Sequence, residues 1–206
     1  MKFRIFLFLL ILTGFSPALL SQDTTKQELP TLYKNTDHKT EHGGYAGVSV
    51  GYMEVDGQDV LTLGGRAAWI IDHNVAIGLT AKAMINTILL EGYWDNPDSS
   101  YYLVGGYGGI FIEPIILPKF PVHLSAPFII GVGWLTLNEY TWYSPYDWDS
   151  YVIVEPGLEM ELSLLKFFRI SVGASYRYTT NLRMEGVPEN LMHGFGGNIT
   201  FKFGAF

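Results

Sequence analysis

The chain has 206 residues, of which 48% are hydrophobic, 15% aromatic and only 16% charged, with 23 glycines and no cysteine. High apolar content and modest net charge exclude a disordered chain, and the lack of cysteine excludes disulfides, a thiolate nucleophile and a cysteine-ligated zinc. The formal charge of −7 argues against a nucleic-acid partner, because a phosphate-binding surface needs clustered Lys and Arg.

The first residues have the order of a secretory signal peptide. Lys2 and Arg4 supply a positive start, and the apolar run Ile5–Leu12 is followed by small residues. A membrane-spanning helix needs roughly 20 apolar residues, so this run is too short for one. We therefore predict that residues 1–21 are a removed signal peptide and that the polar residues 22–42 form a flexible periplasmic tail.

Residues 43–206 show a hydrophobic period of two, which indicates β-strands, and no convincing amphipathic helix. Each alternating stretch has about the length that a tilted strand needs to cross a bilayer, roughly 9–11 residues. Turn-forming residues separate the stretches. The eight predicted strands are Tyr45–Val55, Val60–Ile71, Val75–Asn86, Tyr101–Glu113, Val122–Thr136, Tyr151–Leu162, Phe167–Thr179 and Phe195–Phe203.

The connections between these strands alternate in length. The first, Asp56–Asp59, is tight although the pattern calls for a long one there. Short turns at one end and long polar loops at the other are typical of outer-membrane barrels. The later connections, alternately short and long, are Asp72–Asn74, Thr87–Ser100, Pro114–Pro121, Leu137–Ser150, Leu164–Lys166 and Thr180–Gly194.

The two faces of the strands differ sharply in polarity. One face carries Leu, Val, Ile, Phe and Trp, while the other carries Gly, Ser, Thr and Ala with a set of charged groups. An eight-stranded interior is only just wide enough for its own side chains, so the bulky face belongs in lipid. We predict an all-β, eight-stranded antiparallel up-and-down transmembrane β-barrel. The alternative is a soluble periplasmic ligand-binding barrel with the apolar face inside.

The pattern over Gly43–Phe206 resembles the small eight-stranded outer-membrane barrels of the outer membrane protein A type. Phe206, which follows Phe201 and Phe203, looks like the aromatic C-terminal signal read by the barrel-assembly machinery. The resemblance implies an outer-membrane location, contact with lipid and lipopolysaccharide, and a monomer.

The charged groups of the polar face are predicted to form an ion-pair network in the lumen. Glutamates of the sixth strand and arginines of the seventh face each other across one antiparallel pair, where opposed residues are about 5 Å apart. We favour a closed plug over the alternative of a gated or proton-coupled pore, because an unpaired buried charge is costly. The predicted network is Arg66, Lys82, Glu113, Glu155, Glu159, Glu161, Arg169, Arg177 and Lys202.

A second hypothesis concerns His123 and Ser125, whose spacing resembles the His-x-Ser motif of lipid A deacylases. Ala126 stands where that motif has an Asn, and Glu139, the nearest following acid, lies far across the membrane. Nucleophile, base and orienting acid must lie within hydrogen-bond reach. We therefore predict that the protein is not an enzyme, and the absence of nucleotide and metal motifs predicts no cofactor and no metal.

The long loops combine acids with aromatic rings, as recognition loops do. They could bind a surface ligand, or they could form an aromatic interface belt whose acids are bridged by cations to lipopolysaccharide. The candidate recognition residues are Trp94, Asp95, Trp142, Tyr143, Tyr146 and Trp148. The sequence thus predicts a structural or surface-interaction role, with adhesion or ligand binding at the loops.

Overall fold

The computed structural model describes residues 40–85, 88–90, 101–139, 145–184 and 187–206. The predicted signal peptide and nearly all of the predicted tail lie outside the described residues. Within them, no helix is long and apolar enough to cross a membrane. The strands are β1 His42–Val55, β2 Gln58–Ile71, β3 Val75–Met84, β4 Ile88–Leu90, β5 Tyr101–Ile116, β6 Val122–Ser125, β7 Phe128–Glu139, β8 Pro145–Leu165, β9 Phe168–Thr179 and β10 Gly194–Ala205.

These strands form one antiparallel sheet that closes into a ring of eight. Closure comes from β1 and β10, which pair from Gly44 with Ala205 to Met53 with Gly196. The ten strands make eight positions because two positions are each filled by two strands that follow each other in the chain. β3 and β4 share one position, where both pair with β5. β6 and β7 share another, between β5 and β8. The eight-stranded up-and-down barrel is confirmed.

The break between β6 and β7 falls at Ala126 and Pro127. Pro127 has no backbone N–H and cannot donate to the ladder at this point. The carbonyl of Pro127 still accepts a hydrogen bond from the Gly157 N–H at 2.8 Å. The predicted strand Val122–Thr136 is therefore two strands that occupy one position in the ring.

The first and fifth connections show how the ends of the barrel are built. Asp56 and Gly57 form a two-residue hairpin with φ values of 51° and 70°, the left-handed geometry that Asp-Gly favours. The predicted fifth loop, Leu137–Ser150, is wrong in its bounds, because β7 runs to Glu139 and the 21-residue β8 begins at Pro145. The two strands pair as far as Asn138 with Pro145, so they lengthen the sheet at the end where the long connections lie.

The outer surface of the barrel is apolar over its middle height. Leu79 is 65% exposed and Val132 is 66% exposed, and each points away from the lumen. Side chains this apolar would not stay exposed over a continuous band in water, whereas lipid-facing residues of membrane barrels form such a band. The soluble ligand-binding alternative is therefore wrong: the bulky face is outside.

The interior contains more apolar side chains than the sequence pattern predicted. A loop-end cluster fills the lumen near the long connections, and a smaller turn-end cluster lies near the short turns. The loop-end cluster is Met53, Val55, Val60, Met84, Leu103, Tyr107, Leu135, Leu137, Tyr151, Ile153, Leu182, Met184, Val187, Leu191 and Met192. The turn-end cluster is Tyr45, Ile70, Ala76, Phe111, Ile115 and Ile129.

Candidate functional site

The described part of the barrel contains a charged cluster inside the lumen, to which six strands contribute. The nine residues of the predicted network all point into the barrel, because each lies on the inward phase of its strand. Glu113, Glu161 and Lys202 are almost completely buried. The arrangement takes four anions and five cations out of water, so its stability depends on how they pair.

Lys202 of β10 lies at the centre of three carboxylates. Its ammonium group is 2.6 Å from Glu113 and 3.6 Å from Glu159, and it contacts Glu161 still more closely. One oxygen of each of these three glutamates lies within 4.8 Å of the others, a spacing that could hold a metal ion. The Lys202 ammonium takes up that position with its three donors, so the lysine supplies the positive charge.

Two further cations complete the network. Arg66 of β2 donates to Glu159 at 2.6 Å and to Thr200 at 2.7 Å. Lys82 of β3 donates to Glu155 at 2.6 Å. These ion pairs join strands that are not neighbours in the ring, so they cross the lumen and tie its opposite walls together.

Hydroxyl groups satisfy the remaining acceptor positions of the carboxylates. Tyr45 donates to Glu113, and Tyr107 donates to Glu155. Ser175 donates to Glu155 at 2.7 Å, and Ser171 donates to Glu159 at 2.9 Å. Buried polar groups cost little only when they are hydrogen-bonded, and each carboxylate here has at least two partners.

The predicted pairing between the sixth and seventh strands is wrong for Glu159. The β8–β9 register places Glu159 opposite Gly173 and Glu161 opposite Ser171. Arg169 approaches Glu161 at 3.8 Å. Arg177 instead donates to two backbone carbonyls, at 2.7 Å to Met192 and at 3.0 Å to Glu54. The register of β8 and β9 depends on an irregularity between Ser163 and Leu165, which the hydrophobic pattern does not reveal.

The spaces left inside the described part of the lumen are small. A cavity of about 20 Å³ borders Arg66 and Glu159, and another of about 10 Å³ borders Tyr107 and Arg177. A cavity needs a volume of roughly 10–15 Å³ to hold a single water. The first cavity therefore has room for one or two waters, and the second for one at most.

Comparison with known proteins establishes the fold. No protein-family model and no curated protein matches the chain. Neisserial surface protein A is 9% identical, with a TM-score of 0.51 over 82% of this chain and 99% of that one. The N-terminal β-barrel domain of OprF from Pseudomonas aeruginosa is 7% identical, with a TM-score of 0.54 over 81% of this chain and 99% of that domain.

The chain has the fold of an eight-stranded outer-membrane β-barrel. Identities this low establish the fold alone, and the resemblance to outer-membrane protein A-type barrels is confirmed at that level. In this barrel Phe206 turns inward: its ring stacks near Tyr45 at 5.9 Å, and the Arg169 guanidinium lies 4.0 Å above it. The terminal aromatic therefore packs with the lumen, whereas Phe201 and Phe203 face outward.

His123 and Ser125 lie inside the barrel rather than on its lipid face. His123 is 3.3 Å from Glu161, and the Ser125 hydroxyl is 2.8 Å from both Glu113 and Glu161. The expectation that no acid lies near this pair is wrong, because Glu161 comes from the adjacent strand β8. Both residues are buried and the serine contacts two carboxylates, so the pair belongs to the polar network of the lumen.

A loop segment that plugs the loop end of the barrel, distinct from the ion-paired lumen, was not predicted from the sequence. The described residues of the seventh connection, 180–184 and 187–193, fold into the mouth of the barrel and contribute five members of the loop-end cluster. Arg177 holds it through the Met192 carbonyl, and the Arg183 N–H donates to Asp149 at 2.6 Å. Paired apolar residues in a long loop, Leu182 with Met184 and Leu191 with Met192, are the signal that could have revealed it.

The candidate recognition residues are only partly within the described structure. Trp94, Asp95, Trp142 and Tyr143 lie outside the described residues. Tyr146 and Trp148 lie on β8, in the part of the β7–β8 hairpin that extends past the apolar band. Trp148 is 68% exposed, which leaves a large ring available at the loop end.

Proposed function

We propose that the protein is an exported, monomeric outer-membrane barrel with a structural or surface-interaction role and a closed, ion-paired lumen. The observation that carries this proposal is the filled interior: charges cross-link the walls, and the loop-end cluster covers them. An eight-stranded barrel has no spare width for a channel once its lumen is filled. Lipid and lipopolysaccharide are its proposed surroundings, and the barrel-assembly machinery is its proposed insertion route.

Planar-bilayer recording tests the closed lumen. The purified barrel should show no long-lived conductance steps, because cavities that hold one or two waters cannot hydrate a moving ion. A porin of known conductance reconstituted in the same lipid provides the positive control. Clear, long-lived channel events in the wild type would overturn the closed-plug proposal.

A surface role is supported by the position of the β7–β8 hairpin. The similar barrel from Neisseria is itself named a surface protein. In our proposal the long connections face the outside of the cell and the short turns face the periplasm, so the exposed ring of Trp148 is presented to ligands or adhesion partners.

Single-cysteine labelling in intact cells tests this orientation, because the chain has no cysteine of its own. A membrane-impermeant thiol reagent should label Trp148→Cys in intact cells and should label His73→Cys only after the outer membrane is opened. His73 is the matched control because it lies in a short turn at the opposite end. Labelling of His73→Cys alone in intact cells would reverse the proposed orientation.

We also propose that the barrel is not an enzyme. The support is the burial of His123 and Ser125 behind the wall of the barrel, since a nucleophile must reach its substrate. Mass spectrometry of lipid A from cells expressing the protein should show acyl chains unchanged relative to cells carrying His123→Ala. Acyl chains lost only with the wild type would support the deacylase alternative.

A further inference from the structure

Two neighbouring short turns of the barrel are apolar and basic. Between β5 and β6, Leu117 and Phe120 are 61% and 59% exposed on either side of Lys119. Between β8 and β9, Leu165 and Phe167 are 54% and 58% exposed on either side of Lys166. Turns that project into water are usually built from polar residues, so large exposed side chains at both turns require an explanation.

The two turns form one surface. The Ser163 N–H donates to the Pro121 carbonyl at 2.8 Å, which joins the end of the first turn to the strand that enters the second. We call Leu117, Lys119, Phe120, Leu165, Lys166 and Phe167 the turn patch. It continues directly from the lipid-facing band, because Val122 and Leu162 are paired, exposed residues of that band at the foot of these turns.

The backbone at Leu117 is in an uncommon conformation. Its φ is 60°, in the left-handed region that leucine rarely adopts, and its carbonyl accepts a hydrogen bond from the Phe120 N–H at 3.1 Å. An outlier of this kind is a reason to look for a role. Here it accompanies a leucine side chain that extends beyond the end of the strand and is left exposed.

The third short turn at the same end has the opposite chemistry. It consists of Asp72, His73 and Asn74, and the Glu41 N–H donates to Asp72 at 3.0 Å. The turn patch has two lysines and no acid, although the chain as a whole carries a net charge of −7. Among the described residues of these three turns, lysines are therefore found only in the turn patch, together with the exposed apolar side chains.

We propose that the turn patch is a binding surface for anionic phospholipid of the periplasmic leaflet, with its phenylalanines and leucines at the acyl boundary and its lysines on the phosphates. Lysine and aromatic side chains side by side at the end of an apolar band match the membrane interface. The inference rests on the proposed orientation, with the short turns towards the periplasm. On the Asp72 side, the same end of the barrel remains in water.

Spin labelling tests the depth of the patch. In phospholipid vesicles, nitroxides at Phe120→Cys and Phe167→Cys should collide more with oxygen than with a water-soluble nickel complex. A label at His73→Cys, in the acidic turn, should show the reverse. Labels at Phe120 and Phe167 as accessible to nickel as the label at His73 would overturn the proposal, and would indicate a surface left free for a protein partner.

Lipid selectivity tests the charge. The measurement is the preference of the barrel for spin-labelled phosphatidylglycerol over spin-labelled phosphatidylcholine. One lysine near an anionic membrane favours binding by roughly fivefold, so Lys119→Gln/Lys166→Gln should lose most of the wild-type preference. Arg183→Gln, which removes an exposed cation at the loop end, is the matched control and should keep it. Equal preference in all three proteins would overturn the proposal.

The turn-patch proposal and the proposed function can be refuted independently of each other. Spin-label depth and lipid preference are measured on the purified barrel in symmetric vesicles, where the direction of insertion does not matter. A reversed orientation in cells would therefore leave both results intact and would only move the patch to the outer leaflet. A wild-type barrel that shows no preference for phosphatidylglycerol, although it has the proposed orientation in cells, would refute the patch alone.

Discussion

Lys202 is the residue on which the charged interior most depends, so its removal is the sharpest test of the network. The substitution Lys202→Met keeps side-chain length and removes the charge. It leaves Glu113, Glu159 and Glu161 buried around an apolar group. Breaking a buried ion pair by removing one partner typically costs about 3–5 kcal/mol, because the remaining charge is uncompensated.

We expect the free energy of unfolding to fall by about 3–5 kcal/mol, which is two to three and a half orders of magnitude in the folding equilibrium constant. Reversible urea unfolding in phospholipid vesicles, followed by tryptophan fluorescence, measures it. Arg183→Met is the matched control, because the Arg183 side chain is exposed at the loop end and lies outside the turn patch. Its loss should stay within about 0.5 kcal/mol, as for most surface substitutions.

A double variant separates loss of charge pairing from loss of packing. Adding Glu161→Gln to Lys202→Met removes one of the uncompensated carboxylates while nearly preserving volume, so part of the lost stability should return. The charge-pairing argument is refuted if Lys202→Met costs less than about 1 kcal/mol, or if the double variant is no more stable than the single one.

Three further perturbations examine other parts of the barrel. Arg177→Ala should release the plug, so trypsin should cleave after Arg183 faster than in wild type, whereas Arg169→Ala at the other end should leave this rate unchanged. Leu135→Ala should lower the unfolding free energy by about 2–5 kcal/mol through a cavity in the loop-end cluster, and an unchanged urea midpoint would contradict that packing. Leu79→Arg should destabilise the barrel in vesicles by about 2–4 kcal/mol, with Leu79→Ala as the comparison, and equal stability of the two would show that this position is not in lipid.

The number of strands could be predicted because the period of two is a local property. The predicted strand Val60–Ile71 is observed as Gln58–Ile71, and the predicted Phe167–Thr179 as Phe168–Thr179. Alternation assigns each residue to one of two faces, and the bulk of one face then decides which is in lipid. Both steps need only the order of residues along each strand, and neither needs to know which strands meet inside the barrel.

The partners within the lumen could not be predicted by the same reasoning. Arg66 and Glu159 are 93 positions apart, and Lys202 and Glu113 are 89 apart. Which inward residues meet depends on the stagger accumulated around the ring, and one bulge changes it for every later strand. The sequence places charged residues on the inward face of several strands, while the shear of the barrel decides which of them meet.

The loop-end cluster shows why a polar lumen was an incomplete expectation. Met53, Leu135 and Ile153 lie on the inward face, where apolar residues would contact water if the mouth were open. The hydrophobic effect acts there as in a soluble protein, and it drives the plug segment into the barrel to cover them. The band facing lipid gains nothing comparable from association, because lipid is as apolar as the side chains. The loop end of this barrel therefore has the packing of a soluble core, and its order should depend on the plug rather than on the bilayer.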